Sequence, residues 1–171
     1  MLADRAPTVA DLSRLKYAER VVTEVMRLYP PAWSISRAAL EPCEIGGYRI
    51  ARGQVAMMSQ WVVHRDPRFF DRPEEFDPDR WAVDAPDRPK YAYFPFGGGQ
   101  RLCIGAGFAM MEAVLILATI LQRFRLAFVA GQDVTPRASV TLRPRHGVRV
   151  IPRRWQPSEP AERVAVSQHD G

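Results

Sequence analysis

The sequence is poor in the residue types that build zinc sites and disulfide frameworks. It contains two cysteines, Cys43 and Cys103, and three histidines in 171 residues. No Cys-x-x-Cys pair occurs, which argues against a zinc site. A disulfide between the two cysteines has little support, because the sequence shows no export signal. Cys43 lies among Glu41, Pro42 and Glu44, where we expect a turn and an inert thiol.

No apolar run is long enough to predict a membrane-spanning helix. The longest run, from Ala113 to Leu121, is bracketed by Glu112 and Gln122, whereas a span needs about 20 apolar residues. Charged residues at positions 4 and 5 stand where a leader would have an apolar stretch. The sequence therefore predicts a soluble, cytoplasmic chain without a transmembrane segment.

Lysine is almost absent, since Lys16 and Lys90 are the only lysines among 24 basic residues. The net charge is +5 and the isoelectric point is about 9.7. A nucleic-acid-binding domain usually presents a basic helix or exposed aromatic residues in a recognisable motif, and neither is present. We therefore expect no nucleic-acid partner. The late basic residues are Arg137, Arg143, Arg145, Arg149, Arg153 and Arg154.

Hydrophobic periodicity predicts two main helices. Apolar residues recur at helical spacing from Asp11 to Leu28, with Asp11 or Ser13 as a possible N-cap. Pro30 and Pro31 should end this helix, because proline cannot donate to the helical ladder. A second helix is expected over residues 107–125, and its apolar character on most faces predicts burial.

The remaining elements are predicted to be short strands and one long connection. Strands are expected near residues 34–40, 48–51, 54–59 and 126–130, with a hairpin of 138–142 and 148–150. Residues 66–90 form a proline-rich connection, which at this length is usually functional or held by the scaffold. We expect a folded part over residues 1–152 and a polar, disordered tail over 153–171.

A glycine-rich loop leads to Cys103 and then directly to the second helix. Three common loop motifs do not fit: a dinucleotide loop would need glycine at Leu102, a P-loop would need lysine, and a nucleophile elbow would need serine. A flexible turn before a core helix remains one interpretation. The other is a thiolate, favoured at a helix N-terminus, that binds a haem iron axially. The loop reads Phe94-Pro95-Phe96-Gly97-Gly98-Gly99-Gln100-Arg101-Leu102-Cys103-Ile104-Gly105.

Neighbours of Cys103 suit contact with a flat cofactor. Gly99 and Gly105 would let the backbone approach a porphyrin without a Cβ clash. Arg101 could pair with a haem propionate. Phe96 could shield the sulfur and tune the potential of the iron.

This run resembles the ligand loop of the cytochrome P-450 monooxygenases, Phe-Gly-x-Gly-x-Arg-x-Cys-x-Gly. Phe108-Ala109-x-x-Glu112 is similar to the start of the helix that follows the loop in that family. The resemblance implies that Cys103 ligates the iron of haem b and that a second propionate is held by Arg37, for which a plain strand-edge arginine is the alternative. The implied haem contacts are Arg37, Pro95, Phe96, Gly97, Gly99, Arg101, Cys103, Ile104, Gly105 and Ala109.

Two more stretches resemble the same family. Glu24 and Arg27 are three residues apart and so share a helix face, where the simplest interpretation is a solvated pair. Pro78-Asp79-Arg80-Trp81 is similar to the family's Pro-x-Arg-Phe/Trp element. The resemblance implies that Glu24, Arg27 and Arg80 form a buried bracing network rather than a chemical site. His64 could ligate a haem iron or act as a base, but a structural role is favoured.

The resemblance implies the fold and the reaction of the family. The fold would be mainly α with small β-sheets, and the reaction would insert one oxygen atom from O2 into an apolar organic substrate, with electrons from a ferredoxin or flavoprotein. Only the C-terminal portion of the family's domain is matched, so we expect a truncated product, a misassigned start, or half of a split protein. The alternatives are a non-catalytic haem-binding or interaction fragment and, last, a relative that rearranges peroxides.

Overall fold

The structure is a computed structural model that describes residues 5–82, 84 and 87–155. The described residues form three α-helices: α1 (Lys16–Leu28), α2 (Gln60–Val63) and α3 (Ala106–Arg123). A 3-10 segment at Val9–Arg14 precedes α1, and two more, Pro78–Trp81 and Gly99–Arg101, lie between α2 and α3. The strands are β1 (Ile35–Ala38), β2 (Cys43–Ile45), β3 (Tyr48–Ile50), β4 (Val55–Met58), β5 (Phe124–Phe128), β6 (Pro136–Arg137), β7 (Arg143–Pro144) and β8 (Val150–Arg154).

The strands of the described part form four antiparallel two-stranded sheets, which pair β1 with β4, β2 with β3, β5 with β8, and β6 with β7. Ile35 lies opposite Met58 and Arg37 opposite Ala56 in the first sheet. The two main helices and the small sheets agree with the predicted fold class.

The first helix begins later than predicted. A 3-10 segment runs to Arg14, and α1 starts at Lys16. Asp11 belongs to the 3-10 segment, where its carboxylate accepts hydrogen bonds from the Thr8 amide at 2.9 Å and from two Arg5 nitrogens at 2.7 Å. The pKa of Asp11 is lowered mainly by the Arg5 hydrogen bond. The end of α1 is as predicted, because the Tyr29 amide donates to Val25 and Pro30 follows.

Three predictions on the strands were wrong. Residues 138–142 form the bend between β6 and β7 rather than a strand, and Val140 is 92% exposed. The strand that contains Val150, β8, pairs with β5 rather than with residues 138–142, and it runs to Arg154. Cys43 lies in β2 opposite Ile50 rather than in a turn, although its thiol is exposed. The expected disorder of residues 156–171 lies outside the described residues.

Helix α3 is less buried than its composition predicted. Val114 is its one buried residue, whereas Phe108 is 63% and Ile116 52% exposed. It packs against α1 and the first 3-10 segment, which cover one side of a helix that is apolar on most sides. With 18 residues and a mean hydropathy of 1.4, α3 is long and apolar enough to cross a bilayer. This is weak evidence for a span, because core helices of soluble proteins share that composition.

The centre of the described fold is polar. The largest fully buried side chains lie on α1 and just after it, on α2 and its C-cap, and on the connection over residues 66–90. Charged groups are rarely buried unless they are paired, so this core depends on hydrogen bonds as well as on apolar contact. The largest fully buried side chains are those of Arg27, Phe70, His64, Gln60, Glu24 and Pro30.

Candidate functional site

Glu24 is the hub of a buried hydrogen-bond network. Its Oε1 accepts from Arg27 Nη2 at 2.9 Å, from Arg80 Nε at 2.9 Å and from the Asp77 amide at 3.0 Å. Its Oε2 accepts from Arg27 Nε at 2.9 Å and from Trp81 Nε1 at 2.8 Å. Burial alone would raise the pKa of Glu24, but these donors outweigh burial and lower the pKa below its ordinary value.

The two arginines extend this network into the 66–90 connection. Arg27 Nη1 donates to the carbonyls of His64 at 2.8 Å and Pro73 at 2.6 Å. Arg80 Nη1 donates to the carbonyl of Asp71 at 2.8 Å. These carbonyls lie outside regular helix or sheet, so the arginines satisfy backbone groups that the connection cannot pair by itself. The simple solvated pair at Glu24 and Arg27 is therefore not what the structure contains, since both side chains are fully buried.

Aromatic side chains pack against the network of Glu24, Arg27 and Arg80, and we call the whole cluster the brace. Phe70 is fully buried, and the Arg27 guanidinium lies 5.2 Å from its ring centre. Arg88 lies 5.2 Å from the same ring and 4.9 Å from the Trp81 ring. The Tyr93 hydroxyl donates to the Thr23 carbonyl at 3.0 Å, and burial raises the pKa of Tyr93. Sequence reasoning missed Arg88 and Tyr93, which belong to no motif.

His64 joins the brace to the glycine-rich loop. Its Nε2 accepts a hydrogen bond from the Phe94 amide at 2.9 Å, and its side chain is fully buried. An accepting Nε2 places the hydrogen of a neutral ring on Nδ1. Burial lowers the pKa of His64 to about 4, helped by the nearby Arg27 and Arg65 cations. A neutral, buried histidine that holds a backbone amide agrees with the structural role favoured from the sequence.

This histidine predicts a loss of stability in mild acid. His64 takes up a proton near pH 6.5 in the unfolded chain, but only near pH 4 in the folded chain. The contribution of His64 is therefore complete above pH 6.5 and is lost as pH falls toward 4. We expect the free energy of unfolding to fall by about 2–3 kcal/mol between pH 7 and 4.5. Urea unfolding at both pH values should show this fall.

The matched variant is His64→Gln, whose amide oxygen can still accept from the Phe94 amide but does not titrate. Its free energy of unfolding should change much less over the same interval. The lowered pKa values of Glu24 and Asp11 act mainly below pH 4.5 and are common to both proteins, so their effect cancels in the comparison. Equal pH dependence of the two proteins would show that another group is responsible.

The loop beyond His64 is folded back on itself by backbone hydrogen bonds. Gly97 N donates to Phe94 O at 2.9 Å, and Cys103 N donates to Phe96 O at 3.0 Å. Gly97 and Gly99 have φ of 78° and 63°, a left-handed conformation that favours glycine. Backbone hydrogen bonds thus hold the loop in a turn, and Cys103 lies three residues before the start of α3.

The sulfur of Cys103 lies on an exposed part of the loop. The thiol is free, and the adjacent Leu102 and Ile104 are 55% and 106% exposed. A Cβ added to Gly105 would lie 3.9 Å from Cys103 Sγ, so a larger residue there would fill the space beside the sulfur. A Cβ on Gly99 would meet nothing within 4 Å. Gly99 is therefore explained by its positive φ rather than by close packing within the chain.

The other predicted haem contacts differ in burial and in the element on which they lie. Arg101 is exposed beside Cys103, whereas Pro95 is buried and Ala109 half-buried. Arg37 lies on β1, whose Ile35 approaches Gly97: a Cβ on Gly97 would lie 3.8 Å from Ile35 Cδ1. Alternate residues of a strand share a face, so Arg37 shares the face that borders the loop. The exposed Arg37 donates to the Ser36 carbonyl at 2.7 Å.

These residues fit a planar, dianionic cofactor with a metal that accepts sulfur. An exposed thiol is flanked by apolar Ile104 and Leu102, small Gly105 leaves space beside the sulfur, and the Arg101 and Arg37 cations lie on neighbouring elements. Among the residues that the structure describes, no group of three His, Cys, Asp or Glu side chains could hold a bare metal ion. A single thiolate with apolar neighbours is instead the donor set of a haem iron.

Comparison with known proteins gives consistent matches. The cytochrome P450 family model matches residues 1–150. Cyclooctatin synthase of Streptomyces melanosporofaciens is 45% identical over 143 residues, which cover 83% of this chain and 31% of that protein. Cytochrome P450 4V2 of Homo sapiens is 40% identical over 148 residues, covering 85% of this chain and 28% of that protein.

Solved structures agree with the sequence matches. Retinoic acid-bound cyanobacterial CYP120A1 has a TM-score of 0.84 at 30% identity and covers 91% of this chain, which spans 36% of that protein. The cytochrome P450DA heme domain has a TM-score of 0.83 at 34% identity, with 91% of this chain and 34% of that chain covered. The chain thus spans about a third of the length of the relatives it matches.

Proposed function

The chain belongs to the cytochrome P450 family, and we propose that it is the haem-thiolate segment of a monooxygenase, in which Cys103 would supply the thiolate. The observation that carries this proposal is an exposed thiol held by a hydrogen-bonded turn: the Cys103 amide donates to Phe96 O at 3.0 Å. Family membership implies a haem-thiolate cofactor. Cys103 supplies the thiolate, because the other cysteine, Cys43, lies in strand β2 outside this loop.

The chain's own residues would bind and orient the haem. Cys103 would supply the sulfur ligand to the iron, Arg101 and Arg37 would hold the propionates as charge-assisted partners, and Phe96 would shield the sulfur. The remaining contacts, as predicted from the motif, come from Pro95, Gly97, Gly99, Ile104, Gly105 and Ala109. When bound, the haem supplies the chemistry of O2, which thiolate ligation favours. The Glu24 network keeps the loop in place and takes no part in the chemistry.

The proposed reaction of the whole protein is insertion of one oxygen atom from O2 into an apolar organic substrate. A ferredoxin or flavoprotein would provide the electrons, and an exposed basic side chain near the loop, that of Lys90, would help to attract an acidic donor. No nucleic acid is part of this proposal.

Haem titration of the chain tests the cofactor assignment. After reduction and addition of carbon monoxide, the haem-supplemented chain should show the Soret shift that is characteristic of thiolate ligation. A spectrum of nitrogen ligation, or no haem uptake, would contradict the proposal.

A second candidate, haem binding without turnover, is favoured by the exposure around the sulfur. Ile104 is fully exposed and Leu102 is 55% exposed, so the described residues leave the surroundings of the sulfur open to water. Oxygen activation requires a site that excludes water. Supplying peroxide to the haem-loaded chain with an apolar test substrate separates the two: product formation supports the monooxygenase, and haem uptake without product supports the binding fragment.

A further inference from the structure

Gly98 is the one glycine of the loop's triplet that backbone conformation does not explain. Gly97 and Gly99 have positive φ, but Gly98 is extended, with φ −170° and ψ 171°. Any residue adopts that conformation. The family motif Phe-Gly-x-Gly also leaves this position open. Something else in this chain must require glycine here.

The ring of Tyr91 supplies the reason. A Cβ on Gly98 would lie 3.2 Å from Tyr91 Cδ1, 3.4 Å from Cζ and closer still to Cε1. A tyrosine ring moves only as a rigid unit, so the whole Tyr91 side chain would have to shift to make room for a Cβ on Gly98. Tyr91 is itself held in an unusual backbone conformation, with φ 70°, which is unfavourable for a bulky residue. The ring of Tyr91 therefore lies directly against the backbone of Gly98.

This contact lies inside the turn that carries the sulfur. The backbone hydrogen bonds of the turn run from Gly97 N to Phe94 O at 2.9 Å, from Leu102 N to Gly99 O at 3.2 Å and from Cys103 N to Phe96 O at 3.0 Å. Gly98 lies between these hydrogen-bonded positions, so a shift of its backbone would move the residues on both sides of it in the turn. The Cys103 amide would move with them.

We propose that Tyr91 is a positioning residue for Cys103, which its ring sets in place through the backbone of Gly98. The proposal rests on the proposed role of Cys103 as an iron ligand. Tyr91 is 49% exposed, so its ring is not there chiefly to fill the core. The Lys90 ammonium lies 5.2 Å from the ring centre and adds a cation–π contact that holds it.

A double-mutant cycle tests the contact. Gly98→Ala should lower the folding equilibrium constant roughly tenfold when Tyr91 is present, as overpacking commonly does. In the Tyr91→Gly background, which has no ring and accepts a positive φ, the same change should stay within about twofold. Gly107→Ala is the control for coupling: a Cβ at Gly107 meets nothing within 4 Å, so its effect, a gain in helix propensity within α3, should be the same in both backgrounds. Should Tyr91→Gly not fold, Tyr91→Asn removes the ring and tolerates the same φ.

Two further measurements separate positioning of the sulfur from general support of the loop. In a Cys43→Ser background, the alkylation rate at fixed pH reports on Cys103 alone. With haem bound, the share of the thiolate-type Soret band reports on iron ligation. Gly98→Ala should change both readouts in the Tyr91 chain and neither in the Tyr91→Gly chain, whereas Tyr91→Phe, which keeps the ring, should behave as the parent.

The proposal is overturned if Gly98→Ala has equal effects in both backgrounds. It is also overturned if the folding equilibria are coupled but the alkylation rate and the Soret band do not change, because Tyr91 would then support only the loop. The alkylation rate needs no haem. A parent chain that binds no haem would therefore refute the proposed function while the role of Tyr91 is still decided.

Discussion

Replacing Cys103 with alanine is expected to abolish the thiolate-type Soret shift of the reduced, haem-supplemented chain under carbon monoxide. Alanine has no atom that can ligate iron, and the 171 residues contain only one other cysteine. That residue, Cys43, lies on β2 opposite Ile50 and not in the glycine-rich loop. Absorbance difference spectra of the two single variants, Cys103→Ala and Cys43→Ala, are the measurement.

The matched Cys43→Ala chain should retain the full shift. Because both thiols are exposed, neither substitution should change the free energy of unfolding by more than about 0.5 kcal/mol. A lost shift in Cys103→Ala alone would therefore reflect lost ligation rather than unfolding. A shift that persists without Cys103 would refute the assignment of the ligand.

Replacing Glu24 with glutamine is expected to lower the free energy of unfolding by about 3–5 kcal/mol, the usual cost of breaking a buried ion pair by removing one partner. Glutamine has nearly the same shape but no charge, and its amide group would face N–H donors. Arg27 and Arg80 would then be buried without their counter-ion. Urea unfolding followed by circular dichroism would measure the change.

Glu19→Gln is the control for this prediction. Glu19 lies on the same helix and pairs with Lys16 at 3.1 Å, but its side chain is 49% exposed. A solvent-exposed pair contributes little, so this variant should stay within about 0.5 kcal/mol of the parent. If the two variants were equally stable, the network would not be the brace that its geometry indicates.

The loop was the most recognisable part of the candidate site, because its motif consists of residue types at fixed spacing. Gly97 and Gly99 are explained by their positive φ, and Cys103 by the proposed ligation. Gly98 was not explained by sequence, since its reason is the ring of Tyr91, seven residues earlier. A contact between side chain and backbone within a turn leaves no periodic signal in the sequence.

The brace was predictable only in its charged members. Resemblance pointed to Glu24, Arg27 and Arg80, but the remaining partners are backbone groups of an irregular segment, such as the Pro73 and Asp71 carbonyls. Any residue type supplies a carbonyl, so such acceptors are invisible in a sequence.

The errors in the strands have the same physical origin. Ala138, Val140 and Leu142 alternate with polar residues as a strand would, yet they form a bend. The actual partner of β8 is β5, 22 or more residues away, and pairing at this distance is set by tertiary packing. Likewise, composition predicted a buried α3, but burial depends on how many neighbours surround the helix.

The Asp77 amide donates to a carboxylate oxygen of Glu24 rather than to another backbone group. Its protection from hydrogen exchange must therefore depend on a side chain 53 positions earlier in the chain. Solvent reaches this amide only when the Glu24 network opens. The rate of deuterium uptake at the Asp77 amide therefore measures how often the brace opens.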